Sequence, residues 1–276
     1  MRKQRIARGF SFAVLLLGLV VVMIPFYLTI VSAFKDDLEL YTYFFALPKA
    51  FNLDNFRTIF AKPTFLNSLF NSFKLTVISL IGNALMLPMA AYAISRRMRT
   101  SKVYHFMYYY MVAGIFVPFL VRMIPVIKLL NSMNLANQTG LVLIYLGGAT
   151  CEGVFLITGY LASIPTDMEE AAYIDGASTF QVYTFIMYPV MKPIIITVLI
   201  KNCLWFWNDY LLPSLLLKLP EERTLVLFQY NFKGEHATQY PLVFACLLVS
   251  MLPMMIFYFF MQKQIIGGMM AGAVKG

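Results

Sequence analysis

Six long apolar runs dominate the chain. The runs 10–34, 75–95, 103–121 and 241–262 carry no Asp, Glu, Lys or Arg. The run 139–164 is broken only by Glu152, and 193–217 only by Lys201 and Asp209. Each is close to or above the roughly 20 residues a helix needs to cross the hydrocarbon core. They are continuous rather than alternating, which predicts helices and excludes a closed barrel. The pattern therefore predicts an all-α integral membrane fold with six transmembrane helices. The first run exceeds the about 7–15 residues of a signal-peptide core, and no small-x-small cleavage site follows cleanly. It reads as a retained helix.

Composition agrees with that reading. The chain has 276 residues, 60% hydrophobic and 13% charged, against roughly 25% charged in soluble domains. These values exclude a disordered chain and a disulfide-rich secreted module. The net charge of +9 reads as basic cytoplasmic loops rather than nucleic-acid binding. Arg2, Lys3, Arg5 and Arg8 form one dense cluster, and Arg96, Arg97, Arg99 and Lys102 another. With six spans both fall on one side. That side is then cytoplasmic, together with both termini and the loop between the fourth and fifth spans. Segments 35–74 and 218–240 lie outside. Cys151, Cys203 and Cys246 sit in apolar stretches with no CxxC and read as core residues. His105 and His236 are far apart in sequence, so no metal site is expected.

The loop after the fourth run reads SIPTDMEEAAYIDGASTFQVYTFIMYPVMKP over 163–193. Thr166 and Glu169 have capping-box spacing and predict a helix start. That helix runs through Ala171 and Ala172 and ends at Asp175-Gly176, where glycine allows a left-handed turn. Ser178 or Thr179 caps a second helix that is expected to end near Pro189. Small Ala171 and Ala172 allow another surface to approach closely, although alanine also simply favours helix.

Together these residues carry a resemblance. Glu170-Ala171-Ala172, then Gly176, Ile186 and Tyr188-Pro189, resemble the EAA loop of ABC importer permeases; Tyr188 departs from the Leu usual before that Pro. Leu53-Asp54-Asn55-Phe56, Asn71-Ser72, the run from Trp207 to Pro213 and the end, Gly272-Ala273-Val274-Lys275-Gly276, resemble the carbohydrate-importer branch. The whole is similar to the shorter, six-span, maltose-type permease subunit with the type I fold. The resemblance implies an N-terminal part over 1–66, a permease core over 67–262 containing the coupling loop 163–190, and a tail over 263–276. It implies that Glu170, Ala171, Ala172, Asp175, Gly176, Ile186 and Pro189 couple the chain to a cytoplasmic ATPase. The implied partners are a second permease subunit in a heterodimer, two ATPase subunits, an extracytoplasmic solute-binding protein, a carbohydrate and membrane lipid, with no nucleic acid. The implied location is the plasma or inner membrane of a prokaryote.

No GxxxxGK[ST] phosphate loop is present, so ATP and Mg are expected on the partner ATPase and no cofactor on this chain. No catalytic set stands out, and the chain reads as a transporter subunit rather than an enzyme. The cargo reads as a sugar, an oligosaccharide above others, with a polyol or glycerol 3-phosphate as alternatives. An ion-coupled secondary transporter is the competing class, but it predicts matching halves that the sequence does not show.

Four charged or polar positions mark a candidate substrate path. A charge at mid-membrane costs about 2.5–3.5 kcal/mol on insertion scales. Glu152 is either an acceptor for sugar hydroxyls or half of an ion pair with Lys201 or Arg122. Arg122 lies between Pro118 and Pro125, where a broken helix can line a path, or it snorkels outward. Asn208 and Asp209, beside Trp205 and Trp207, suit sugar or belong to an interfacial aromatic belt. The polar outer loop, with Glu221, Glu222, Arg223, Lys233 and Glu235, is expected to touch the binding protein.

Overall fold

The computed structural model describes residues 2–232 and 238–273, with side chains between 10 and 264. Lys233, Glu235, His236 and 274–276 lie outside the described residues. The elements are α1 (Arg2–Ala33), α2 (Asp37–Thr42), α3 (Asp54–Phe60), α4 (Pro63–Arg97), α5 (Lys102–Ile115), α6 (Phe119–Ser132), α7 (Gln138–Leu161), α8 (Asp167–Ile174), α9 (Thr179–Gln181), α10 (Tyr188–Asn208), α11 (Leu211–Leu216), α12 (Leu225–Phe228) and α13 (Tyr240–Ala273). No strand forms among the described residues.

Five helices are long and apolar enough to cross a membrane. The expected third span is different: α5 and α6 are two helices bent by 106° at a short break, and only together do they reach spanning length. Pro118 accounts for the break, because a proline ring disfavours the α conformation in the residue before it. Pro118 itself is extended at the N-cap of α6. The fifth span also departs from expectation. It begins at Thr179 rather than 193 and runs to Asn208, so the second loop helix does not stop at Pro189. Val182–Met187 widens into a π-helical segment just before Pro189 and Pro193. A proline lacks the N–H for its i−4 bond and crowds that carbonyl. A π turn accommodates this without ending the helix.

The chain divides into two compact units. One contains 67–226 and 256–276. Its core joins Leu87 and Ala91 of α4, Val154, Ile157 and Leu161 of α7, and Met191, Ile195 and Val198 of α10. At one end, Asn71 Nδ2 donates to the carbonyls of Glu221 (2.7 Å) and Arg223 (3.2 Å), and Gln138 Nε2 to that of Glu222 (3.0 Å). Segment 220–224 is therefore tied to the starts of α4 and α7. The loop expected to be polar turns apolar after it: Leu225, Leu227 and Phe228 are buried.

The other unit contains 1–66 and 227–255. Lys35 is fully buried at the end of α1. Its ammonium donates to the carbonyls of Tyr43 (2.7 Å), Phe44 (3.1 Å) and Ala46 (2.6 Å). Asn55 Nδ2 donates to Ala33 O (2.9 Å) and Lys35 O (2.8 Å), satisfying carbonyls that the end of α1 leaves open. Lys35 therefore holds a turn together as three hydrogen bonds to one cation. Hydrogen bonds to charged groups contribute about 1.5–3 kcal/mol. Lys35→Met is expected to remove three charge-assisted hydrogen bonds to part-buried carbonyls and to lower the stability of this unit by about 1–2 kcal/mol, read as a lower melting temperature of the purified chain.

Candidate functional site

The loop 163–190 is built as two helical pieces around one glycine. Gly176 has φ of +82°, and no atom lies within 4 Å of where its Cβ would be. The turn is therefore imposed by backbone conformation, not by lack of space. Ser178 and Gln181 form a capping box that starts the second piece. The first piece starts differently from the sequence expectation. Thr166 makes no side-chain cap, and its hydroxyl instead donates to Glu170 (2.8 Å). Glu169 is turned inward and buried, where a stronger partner outcompetes the cap: its carboxylate accepts from Arg96 Nε (2.6 Å) and from Tyr92 OH (2.6 Å). The carboxylate receives two charge-assisted bonds here, where a capping box would give it one, to a single backbone N–H.

The sequence-derived loop residues separate into two groups. Glu170, Ala171, Asp175, Gly176 and Pro189 are exposed. Ala172 and Ile186 instead pack against the core formed by α4, α7 and α10. Large apolar side chains also stand open on this loop: Ile174 is 86% exposed, Phe180 and Phe185 both 74% and Met168 48%. Sequence reading missed these four. Their signal was apolar residues at the solvent positions of a short amphipathic helix.

The membrane charges lie along the seam between antiparallel α7 and α10. Tyr145 stacks on Phe206 with ring centroids 4.5 Å apart. One turn on, a Cβ on Gly148 would lie 2.8 Å from the rim of the Trp205 indole. A further turn on, Lys201 pairs with Glu152. The ion pair expected for Glu152 thus forms, with Lys201 and not with Arg122. Both of its side chains are still 41–47% exposed. Asp209 is occupied otherwise: it accepts from Tyr145 OH (3.1 Å) and from the amides of Leu211 (3.1 Å) and Leu212 (3.4 Å), capping the first turn of α11. Asn208 is exposed and donates back to Leu204 O (2.8 Å). Trp207 is buried in the core. Arg122 sits 5.9 Å from the Phe119 ring on the wall of a cavity of about 280 Å³, which Trp205, Gly147, Gly148 and Leu212 also line. The structure therefore places Trp205 one turn from the Glu152–Lys201 pair, brings Arg122 of α6 to the cavity that Trp205 lines, and gives Asp209 a capping role. No cluster of three or more metal-ligating side chains forms among the described residues.

Removing one partner of a desolvated ion pair leaves a lone charge. A fully buried pair loses about 3–5 kcal/mol on that change, and the partial exposure of this one reduces the loss to about 1–2 kcal/mol. Glu152→Gln is expected to destabilise the purified chain by that amount. The double change Glu152→Gln with Lys201→Met is expected to recover most of it. Melting temperatures of the two single variants and the double variant check this.

The sequence matches the family described as binding-protein-dependent transport system inner membrane component over residues 86–269. It is 39% identical over 276 residues to the multiple sugar-binding transport system permease protein MsmG of Streptococcus mutans, covering 99% of each chain. It is 39% identical over 251 residues to the probable starch degradation products transport system permease protein AmyC of Thermoanaerobacterium thermosulfurigenes, covering 91% of each. Among solved structures, a subunit of a bacterial ABC transporter involved in the import of alginate superposes with a TM-score of 0.83 at 21% identity, covering 95% of this chain and 98% of that one. That likeness establishes the fold. With α5 to α12 and parts of α4 and α13 falling within the family match, and relatives aligned along nearly their whole length, the chain belongs to the family of binding-protein-dependent transport system inner membrane components.

Proposed function

We propose that this chain is a transmembrane permease subunit of an ATP-driven ABC importer that moves a sugar, most simply an oligosaccharide, into the cell. The observation that carries the reading is the loop around Gly176. It exposes Met168, Ile174, Phe180 and Phe185 beside Glu170 on a short, positively turned helix pair. Exposed apolar groups gathered on one loop mark a protein contact. On this reading a cytoplasmic ATPase covers that surface, with ATP and Mg held on the ATPase. The sugar assignment rests on relatives whose names specify multiple sugars, starch degradation products, and melibiose, raffinose and stachyose. The remaining partners are a second permease subunit and an extracytoplasmic solute-binding protein, which fits the binding-protein-dependent family. The N- and C-termini then lie in the cytoplasm.

Substrate passes the α7–α10 face. A half-exposed ion pair on two apolar helices needs water or another protein beside it rather than lipid. Arg122, Glu152, Lys201 and Asn208 then offer donors and acceptors to sugar hydroxyls, and the Trp205 ring offers an apolar face. Transport couples to ATP hydrolysis through the loop.

The complex reconstituted in liposomes tests this. The wild-type chain is expected to co-purify with an ATPase carrying a phosphate-binding loop and to take up sugar only when ATP and binding protein are present. At Gly176 a β-branched residue meets about 1–3 kcal/mol of backbone strain, with space itself no obstacle. Gly176→Val and Ile174→Asp are each expected to weaken ATPase association and to lower uptake at least tenfold, with the chain still inserted; Glu170→Ala is expected to lower uptake less. Normal uptake in all three variants would remove the loop from the coupling role.

A further inference from the structure

Arg96 makes contacts that its place in a basic cluster does not explain. It sits at the end of α4, yet its side chain is only 19% exposed. Its Nε donates to Glu169 of α8 (2.6 Å) and its Nη1 to Leu161 O at the end of α7 (3.4 Å). Tyr92, one turn earlier on α4, donates to the other carboxylate oxygen of Glu169 (2.6 Å). The Tyr92 ring also lies 5.5 Å from that of Tyr183, in the π segment of the fifth span. One carboxylate thus ties the loop helix to two residues of α4, and the same arginine reaches the last turn of α7. Glu169 is 4% exposed, so water does not compete for these bonds.

From this geometry we infer that Arg96, Tyr92 and Glu169 form a clamp that fixes α8 to the ends of α4 and α7, so that a force applied to the exposed face of α8 is delivered to both spans. The inference rests on the functional reading above, with the ATPase as the source of that force. The three are positioning residues that act through α8. Their division of labour follows from chemistry. The planar guanidinium bridges a carboxylate and a carbonyl at once, which a lysine ammonium on a flexible stem does not reproduce. The phenol satisfies the carboxylate oxygen that Arg96 leaves open. Glu170, the neighbour that faces outward, is bonded only to the Thr166 hydroxyl of its own turn and stays exposed to a partner's surface. A helix attached only by its two connecting turns would instead tilt under load and dissipate it.

The test uses the full complex with Glu169→Gln, Tyr92→Phe and the reversed pair Arg96→Glu with Glu169→Arg. Both single variants are expected to retain the ATPase on co-purification and to hydrolyse ATP, while sugar taken up per ATP falls at least fivefold for Glu169→Gln and about twofold for Tyr92→Phe. The reversed pair is expected to recover part of the Glu169→Gln loss. A second readout needs no transport: spin labels at Asp167→Cys and Arg99→Cys, in the chain with its three native cysteines changed to serine, report the spread of distances between α8 and the end of α4. Glu169→Gln is expected to broaden that spread. Unchanged uptake per ATP in both single variants overturns the coupling role, whatever the label distances. If the wild-type complex moves no sugar, the functional reading fails on its own. The label distances then decide the clamp alone: broadening supports it and an unchanged spread overturns it.

Discussion

A charge or unpaired polar group inside the hydrocarbon region must find a partner, and the seam between α7 and α10 is organised around that requirement. Glu152 and Lys201 neutralise each other across it. One turn away the helices approach through Gly148, which leaves room for the Trp205 indole. Tyr145 then stacks on Phe206 and spends its hydroxyl on Asp209. Antiparallel helices bring residues together at every turn, so a spacing of three or four along α7 meets a spacing of four along α10. Apolar burial between the spans supplies little net drive in lipid, because acyl chains are as apolar as leucine. The polar pairs and the close glycine contact therefore do more to fix register here than they would in a soluble bundle.

The same requirement governs the end of the bundle that carries the loop. Glu169 is an acidic residue in the first turn of a helix, where the dipole welcomes it. Burial beside Arg96 and Tyr92 turns it into a structural anchor. Its neighbour Glu170 stays outside with Thr166. Adjacent residues on a helix point about 100° apart, so one acidic pair serves two faces. The inner glutamate fixes the helix, and the outer one remains available.

Both departures from regular helix within the spans described above occur at prolines of the unit that includes the loop. Pro118 separates α5 from α6 with a 106° bend. Pro189 and Pro193 are preceded by a π segment that lets the fifth span continue into the loop without a break. The consequence is mechanical. A loop helix that is continuous with a span moves with it, whereas a bent pair opens a cavity beside Arg122 and Trp205.

By itself the sequence determined the all-α membrane class, the position of the loop, the turn at Gly176, a cap at Ser178 or Thr179 and the need of Glu152 for a partner. Each follows from a local rule: run length, glycine at positive φ, side-chain capping, or the cost of a lone charge. Family motifs in the loop were legible for the same reason, since they sit within one short stretch. Only the tertiary structure decided which glutamate of the Glu169–Glu170 pair turns inward. That choice depends on Arg96 and Tyr92, more than 70 residues earlier in the chain. It also decided that Asp209 caps α11, that Lys201 and not Arg122 takes Glu152, and that one proline bends a span sharply while two others are absorbed. A proline's effect depends on whether neighbouring turns can widen. A charge's partner depends on which helix packs alongside. Neither is written in local spacing, because both are settled by residues that are distant in sequence and adjacent only in the folded chain.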